Sequence, residues 1–504
     1  MENTKFLLLL IFALVFSMNG LVFAQNDTLV IGSGAEATGL DPRLETDVPS
    51  FERINVIMEP LVKFDVDMNL TPLLASSWEF SSDSLTLTFY LQEGVTWHDG
   101  TPFTAHDVKY TYEWVLDPDN GASNRGLYQD ISKIEVVNDY EIEFHLSKPY
   151  SFLLNNIARM PITPKHAGDR SDFRQNPVGT GPYKLVSWTR DDRMILRANE
   201  DYWGGKPIIQ NLIFRTIPED ATRLLAFEAG EIDIYQGGIV PQELPRLEQD
   251  PKFVVQRTPG TGYTYLGFNT RVGALGDVRV RRAVSHLIHR EGIVQRVMNG
   301  IGTPGIGPIP TGLPWFNPDV PRYEYSPEKA KELLAEAGYP DGEIKLRLFT
   351  NENPVRMRIA EILQHEAQQV GITVEVTIEE FGAYLARIQE TDDYDIFILG
   401  WSGQLDPDRA MIRQFHTQGS NNYTGYSNER LDYLLNYGRS VAPDSQESID
   451  IYNEAQEIVV RDVPYGFINY TEEVGIHHPY IKNWSVHPYS AAAWQDAHKM
   501  VKDK

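Results

Sequence analysis

The sequence contains no cysteine among its 504 residues. This absence excludes disulfide bonds, thiolate metal sites and cysteine nucleophiles together. Basic residues are also scarce, with 45 lysines and arginines against 70 acidic residues and a formal net charge of −25. A surface of this charge repels phosphate backbones and anionic lipid. We therefore expect neither a nucleic-acid partner nor attachment to an anionic membrane surface.

Long hydrophobic runs are missing as well. The apolar segment at residues 6–18 follows Lys5, and it is shorter than the roughly 20 residues that a membrane-spanning helix needs. Val22 and Ala24 place small residues at the −3 and −1 positions of a cleavage site. These features predict a signal peptide over residues 1–24, cleaved after Ala24 during export, and no stable membrane insertion. A retained N-terminal anchor is the alternative.

What remains is the composition of a globular protein, with 42% hydrophobic and 23% charged residues over a length that suits two or three packed units. Near its start, the turn at residues 32–37 follows a predicted strand at residues 28–32 and superficially matches a dinucleotide-binding fingerprint. Gly39 and Pro42 stand where the helix of that motif should begin. We therefore predict that no cofactor binds there.

Two groups of histidines and acidic residues have the composition of metal sites but not the spacing. His365 and Glu366 lack a second ligand because Gln369 occupies its position. The other group matches no metal-ligand pattern and is predicted to be structural; it consists of His98, Asp99, His106 and Asp107.

The periodicity of apolar residues predicts the secondary structure. Residues 85–89 and 140–144 alternate with period two, which indicates half-buried strands. Residues 277–300 predict one amphipathic helix that Asp277 caps and that Asn299 and Gly300 end. Its apolar stripe consists of Val280, Ala283, Val284, Leu287 and Ile288.

The segment from residue 326 to residue 400 predicts an α/β fold. Ser326 and Pro327 begin a helix that Gly338 ends. Residues 344–348 and 372–378 alternate as strands on either side of a helix at about 354–370. Strand, helix and strand of these lengths form a parallel crossover. The apolar run at 395–400 indicates a strand that is buried on both faces.

The residues that follow this last strand are the candidate site, because ligands of open α/β sheets bind beyond the carboxyl ends of the strands. They are Trp401, Ser402, Gly403 and Gln404. Of these, the large indole of Trp401 either packs in the core or forms part of the site.

Ordered sequence blocks are spread along nearly the whole mature chain. They include TWHDGTPFTAHDVKY from Thr96, NPVGTGPYKLVSW from Asn176, NEDYWGGKP from Asn199, FEAGEIDI from Phe227, DVRVRRAVSHLIHREGIV from Asp277 and LGWSGQLDPD from Leu399. In order and spacing these blocks resemble those of the family 5 substrate-binding proteins of bacterial ABC importers. That family includes the dipeptide- and oligopeptide-binding proteins.

The resemblance implies a two-lobed periplasmic binding protein fold of class II type, with an extra subdomain inserted in lobe one. The expected boundaries are 25–60, 185–270 and 479–504 for lobe one, 61–184 for the inserted subdomain and 271–478 for lobe two, with hinges near Thr270 and Pro479. It also implies a periplasmic monomer that delivers a solute to the transmembrane subunits of an ABC permease. Many members carry a lipid on a cysteine after the signal peptide, which this chain lacks.

The same resemblance implies roles for individual residues. Trp401 lines the ligand cavity in the peptide binders, and Phe381 matches an aromatic position that faces the cleft. Tyr263 and Tyr265 lie where the family passes from lobe one to lobe two, so they contact ligand or pack at the hinge. Glu36 contacts ligand at the mouth of the cleft or is a solvated loop carboxylate.

One departure from the family pattern bears on the ligand. Peptide binders carry an aspartate that pairs with the amino terminus of the peptide, and here Gln404 stands at that position. Either Asp406 takes over after a loop shift, or the ligand presents no ammonium. The expected ligand is a short peptide, with a β-linked oligosaccharide or another solute, such as a nickel complex, as alternatives.

A secreted hydrolase is the alternative of another class. It would require a nucleophile with its base, or a pair of carboxylates across a cleft. The sequence contains no GxSxG, HExxH or comparable block. We therefore predict a binding protein and not an enzyme.

Overall fold

A computed structural model describes residues 27–341, 343–443 and 445–504. The predicted signal peptide and its cleavage site at Ala24 lie outside the described residues. Within the described residues, no helix is long and apolar enough to cross a membrane.

A mixed sheet of 11 strands runs through the molecule. Two long strands cross its centre, Val254–Phe268 and Tyr465–His477, and they are called the crossing strands below. On one side lies the C-terminal half-sheet, in the order Ile372–Glu379, Ile344–Asn351 and Ile396–Trp401. On the other side lies the N-terminal half-sheet, in the order Ile234–Gln236, Thr28–Ser33, Asn211–Thr216, Arg193–Ala198 and Tyr183–Thr189. The short strand Thr303–Pro304 pairs with the second crossing strand.

The crossing strands lose their regular pairing between the two half-sheets. Gly260, Thr261 and Gly262 stand opposite the single residue Thr471, because the register shifts between Pro259 and Tyr263. A Cβ atom on Gly262 would lie 2.5 Å from the carbonyl oxygen of Trp401. The close approach of the two backbones therefore requires glycine at this position.

Helices alternate with the strands along the chain, and Ala105–Leu116 packs on a separate smaller sheet. Their bounds are Val48–Ile57, Ala105–Leu116, Leu153–Ile157, Asp220–Glu228, Leu244–Gln249, Val278–His286, Arg290–Arg296, Pro327–Glu336, Pro354–Gln368, Phe381–Glu390, Arg413–Phe415, Glu429–Gly438 and Gln446–Asp462. A π-helical turn, Asp408–Ile412, runs directly into Arg413–Phe415.

The predicted parallel crossover is confirmed. Ile344–Asn351 pairs in parallel with Ile372–Glu379, and Pro354–Gln368 is the helix between them. The Ser326 side chain accepts a hydrogen bond from the Lys329 amide, so the predicted helix cap is present.

The single helix predicted over residues 277–300 is wrong, since the structure has two helices, Val278–His286 and Arg290–Arg296. The apolar stripe is buried as predicted, and Asp277 caps the first helix. The break follows from Arg290, whose buried guanidinium donates to the carbonyl oxygens of Phe467 and Tyr323, both at 2.6 Å. These contacts come from distant parts of the chain, and the second helix begins where the His289 side chain accepts a hydrogen bond from the Gly292 amide.

Residues 75–146 contain a separate antiparallel sheet, in the order Ala75–Phe80, Thr86–Leu91, Glu141–Leu146 and Ile131–Asn138. The two predicted strands pair with each other, and their alternate residues Phe89 and Phe144 meet in its core with ring centroids 5.5 Å apart. Phe152 continues this core toward the C-terminal half through edge contacts with Trp315 and Tyr452. The predicted lobe boundaries stay predictions.

The predicted structural group of His98, Asp99, His106 and Asp107 does not come together, because each side chain has its own partners. The ring of His98 lies between Gly179 and Gly181, and Asp99 pairs with His166 at 2.7 Å. Asp107 accepts from the Thr104 and Lys165 amides, and His106 lies 3.9 Å from Asp139. Among residues 27–341, 343–443 and 445–504, no group of three histidines and carboxylates is arranged to hold a metal ion.

Candidate functional site

A cavity of about 920 Å³ lies beside the interruption in the crossing strands. Thr261, Gly262, Thr471 and Glu473 of those strands line it. The remaining walls come from the start of the Val48–Ile57 helix, from residues 123–129 with Lys148, Tyr150 and Arg159, from residues 402–403 and 408–420 with Arg439, and from residues 489–491. Both halves of the molecule therefore contribute walls to one cavity.

Of the four residues that follow the buried strand, Ser402 and Gly403 line the cavity. The strand ends at Trp401, and Gly403 has a φ of 62°, which turns the chain at the cavity wall. The rule that ligands bind beyond the carboxyl ends of strands therefore locates this wall from sequence.

Trp401 has a packing position in this structure. Its half-buried ring stacks on Tyr265 with centroids 6.3 Å apart and an interplanar angle of 12°, and it also contacts Tyr423. It is not among the residues that line the cavity. The core-packing alternative for this indole therefore matches the geometry.

Gln404 and Asp406 lie beneath the cavity wall. Gln404 is 2% exposed, and its side-chain amide donates to the Ser402 carbonyl at 3.2 Å. Asp406 is also buried; its carboxylate accepts from the Arg409 amide at 2.7 Å and from the Asn155 side chain at 3.2 Å. Burial raises the pKa of Asp406. Both candidate anchors for an ammonium are thus occupied by contacts within the protein.

The other four candidates also lie away from the cavity wall. Tyr263 and Tyr265 are fully buried in the core, which matches packing at the crossing strands. Phe381 is 47% exposed at the start of its helix. Glu36 is held internally, because its carboxylate accepts from the Trp188 indole at 2.7 Å and from the Asp191 amide at 3.0 Å.

Sequence reasoning missed a basic wall of the cavity, formed by Lys148, Arg159, Arg409, Arg413 and Arg439. Arg409 and Arg413 are four residues apart on consecutive helical turns, a spacing that the sequence shows. Arg159 follows a short helix some 250 residues earlier in the chain. No local pattern connects it to the other two.

Of the basic residues of this wall, Lys148 and Arg439 form ion pairs, whereas Arg159, Arg409 and Arg413 form none among the described residues. Arg439 pairs with Asp408 at 2.9 Å and with Asp130 at 3.5 Å. Burial raises the pKa of Asp408 to about 6, although Arg439 opposes the shift. Burial lowers the pKa of Arg409 to about 9, and the neighbouring charges of Arg159 and Arg413 add to that shift.

Direct contacts join the two sides of the cavity. The Tyr150 hydroxyl donates to Asp408 at 3.1 Å, and the Ser151 amide donates to the Arg439 carbonyl at 2.8 Å. Together with the bond from Asn155 to Asp406, they connect the segment at 150–155 to the C-terminal half. The structure therefore represents a state in which the sides of the cavity are in contact.

Comparison with known proteins gives one consistent result. The family model described as "Bacterial extracellular solute-binding proteins, family 5 Middle" matches residues 69–422. The Dipeptide-binding protein of Escherichia coli (strain K12) is 30% identical over 478 residues, which cover 87% of this chain and 88% of that protein. Oligopeptide-binding protein AppA of Bacillus subtilis (strain 168) is 29% identical and covers 93% of this chain and 92% of its own length.

A solved structure extends this similarity to three dimensions. The periplasmic binding protein DppA from Helicobacter pylori, in complex with the peptide STSA, has a TM-score of 0.80 and 30% sequence identity to this chain. The match covers 95% of this chain and 98% of that one. The mixed α/β architecture described above is therefore the two-lobed periplasmic binding protein fold, as predicted.

Proposed function

Because the chain belongs to the bacterial extracellular solute-binding proteins of family 5, we propose that it captures a short peptide in the cavity and delivers it to an ABC permease. As in its curated relatives, its role is binding and not catalysis. The peptide is the finer part of the proposal. The relatives named above as dipeptide- and oligopeptide-binding proteins support it.

The observation that carries the proposal is the construction of the cavity. Its walls come from both sides of the crossing strands, and its volume lies near the upper end of the 300–1,000 Å³ typical of small-ligand sites. A ligand that contacts both walls gains its full set of interactions only when they are together. It therefore shifts the population toward the closed state.

Hinge motion belongs to the same proposal. The backbone pairing of the crossing strands is interrupted at residues 259–263, so less regular structure opposes bending there. We place the bend at this interruption, within the strands, seven to eleven residues before the predicted position near Thr270 and eight residues before that near Pro479.

Cellular location and assembly complete the proposed function. The short apolar segment and the small residues before Gln25 support export and cleavage after Ala24. A chain without cysteine carries no thioether-linked lipid, so the mature protein is free in the periplasm. It acts as a monomer.

The two aromatic residues that the family resemblance assigns to the ligand cleft, Trp401 and Phe381, do not line the cavity. They therefore favour neither a peptide nor an oligosaccharide. The wall combines charged and uncharged polar side chains with the aromatic residues Phe51, Tyr128, Tyr150 and Tyr489. The named relatives therefore favour the peptide, and the oligosaccharide remains the alternative.

An occlusion variant tests the function. Ser402 lines the cavity and is exposed, so Ser402→Trp should fill part of the space and weaken the binding of tri- to pentapeptides by tenfold or more in calorimetry. The matched control is Tyr433→Trp, at a 57% exposed position outside the cavity. Failure of every peptide to bind the wild type, or equal binding by Ser402→Trp, would contradict the proposal. A β-linked disaccharide series in the same assay decides between peptide and sugar.

A further inference from the structure

We propose that Arg159, Arg409 and Arg413 form a binding site for a carboxylate, so that the transported solute is anchored by its anionic end. This inference rests on the proposed function and specifies the chemistry of the same cavity. It specifies which end of the ligand lies against this wall, which the buried Gln404 and Asp406 do not do.

The geometry leaves donor groups of these arginines available to a ligand. Each is held at Nε: Arg159 donates to the Tyr489 hydroxyl at 3.3 Å, Arg409 to the Gly403 carbonyl at 2.6 Å and Arg413 to the Asn421 side chain at 3.0 Å. These bonds fix the direction of three half-buried guanidinium groups that all line the cavity. The Nη1 atom of Arg159 is buried and has no hydrogen-bond partner. An orphaned buried donor of this kind is rare unless a ligand or water completes it.

No carboxylate among the described residues forms an ion pair with the three arginines, although the charge of Asp406 acts on Arg159 and Arg409. Among the described residues, none of them has an Asp or Glu oxygen within 4.0 Å, whereas Arg439 and Lys148 on the same wall do. The nearby Asp406 and Asp408 are taken up by the contacts described above. The chain as a whole has a net charge of −25, so three arginines on one cavity wall that form no ion pair within the described part of the chain contrast with the rest of the protein.

The remaining acidic residues of the cavity do not change this balance. Asp47 caps the Val48–Ile57 helix by accepting from the Ser50 amide at 2.8 Å. Glu473 is on the crossing strand, where burial raises its pKa. Its bond to the Gln236 side chain is 3.4 Å long, and it has no ion pair among the described residues.

Repulsion from neighbouring arginines at Arg409 and Arg413 supports the assignment, whereas the pKa of Arg159 itself, despite burial, is raised by the Tyr489, Tyr128 and Asp406 side chains. Burial first, and then the charges of Arg159 and Arg413, lower the pKa of Arg409; burial and Arg159 lower that of Arg413. A carboxylate placed among them relieves both effects. The planar fork of a guanidinium also matches a carboxylate with two parallel hydrogen bonds.

The experiment compares peptides that differ only at their ends. A random tripeptide mixture is prepared as free acids, as C-terminal amides and as N-acetylated acids, and native mass spectrometry identifies the retained species. Calorimetry then measures dissociation constants for the best of each class. We expect the wild type to bind free acids at least tenfold more tightly than amides, and acetylation to change affinity less than threefold.

The double variant combines Arg409→Gln and Arg413→Gln. The control is Arg430→Gln, which removes a surface charge that pairs with Glu454. The preference for free acids should fall below threefold in the double variant and persist in the control. Equal affinity for acids and amides in the wild type, or a preference that survives in the double variant, would overturn the inference. The wild-type comparison needs no variant, so equal affinity for acids and amides overturns the inference even if the double variant does not fold.

A second arm separates this inference from the proposed function. If no tripeptide of any class binds, the peptide proposal fails, and melting temperatures with citrate against sodium chloride at equal ionic strength test the carboxylate site alone. Stabilisation by citrate in the wild type and in Arg430→Gln, with none in the double variant, supports the site. Equal shifts in all three proteins refute it.

Discussion

The Trp401 side chain allows a test of the two roles that the sequence leaves open, core packing and ligand contact. It ends the predicted strand, but it stacks between Tyr265 and Tyr423. We expect Trp401→Ala to lower the free energy of unfolding by about 2–4 kcal/mol, because truncating a large packed ring removes its contacts and leaves a cavity. Chemical denaturation of the ligand-free protein measures this. Unchanged stability together with lost peptide binding would instead indicate that Trp401 contacts the ligand.

His98 gives a second prediction at this scale, and it concerns pH. Burial lowers the pKa of His98 to about 4, and the charge of Lys184 adds to the effect. The folded state therefore favours the neutral ring, and its contribution to stability is present above about pH 6.5 and is lost as pH falls toward 4. We expect His98→Gln to be less stable than the wild type at pH 7.5, with a gap that narrows by roughly 2–3 kcal/mol at pH 4. Urea unfolding at both pH values tests this, and a constant gap would contradict it.

Local signals made part of the molecule predictable at the residue scale. Asp277 and Ser326 cap helices through amides two or three residues away, so short sequence patterns suffice to find them. Arg159 reaches the cavity only because the fold brings its segment beside residues 402–413. Neither spacing nor composition carries that information.

At the scale of elements, the break between Val278–His286 and Arg290–Arg296 depends on one buried side chain. We expect Arg290→Met to lower the free energy of unfolding by about 3–5 kcal/mol, because the carbonyls that Arg290 joins lose their shared donor. Thermal unfolding with far-ultraviolet circular dichroism measures the loss. Arg296→Met, at an exposed position of the same helix, is the control and should have little effect. Equal melting temperatures for both variants would refute the role of Arg290.

Elements with their own periodicity were predicted best. The strands Ile344–Asn351 and Ile372–Glu379 and the helix between them follow from alternation and capping alone. The helix over residues 277–300 was predicted too long because its apolar stripe continues through Leu287 and Ile288, which are buried in either conformation. Burial thus fixes which residues face the core, and long-range hydrogen bonds decide where the helix stops.

At the scale of the whole molecule, closure should depend on bonds that join the sides of the cavity. Tyr150→Phe removes the bond to Asp408 and the bond that Asn156 donates to the Tyr150 hydroxyl, and it keeps the ring. We expect about tenfold weaker peptide binding, since the closed state loses a hydrogen bond to a charged group, and a loss of about 1 kcal/mol in the free energy of unfolding of the ligand-free protein. Small-angle scattering should show that the wild type contracts at a peptide concentration that leaves the variant partly open. Identical titrations would argue against the bond as a determinant of closure.

The two ends of the described chain are also joined. The buried ammonium of Lys502 donates to the Thr28 carbonyl and to Asp233, both at 2.7 Å. We expect Lys502→Met to destabilise the protein by about 3–5 kcal/mol, because it leaves Asp233 buried without its cation. Lys499→Met, which removes an exposed lysine nearby, should have a small effect. Adding Asp233→Asn to Lys502→Met should recover part of the loss in thermal unfolding, and no recovery would contradict the pairing.

The contact between Lys502 and Thr28 limits the order in which parts of the protein can fold. Lys502 and Thr28 are 474 positions apart, and the N-terminal half-sheet is completed by contacts from the last residues of the chain. Contacts between such distant positions form slowly, since the ends of a long loop must first meet. A chain that is still being synthesised therefore lacks the C-terminal residues that complete the N-terminal half-sheet. Late completion of this half-sheet is compatible with the proposed export, because a chain that has not finished folding can still pass through a narrow channel.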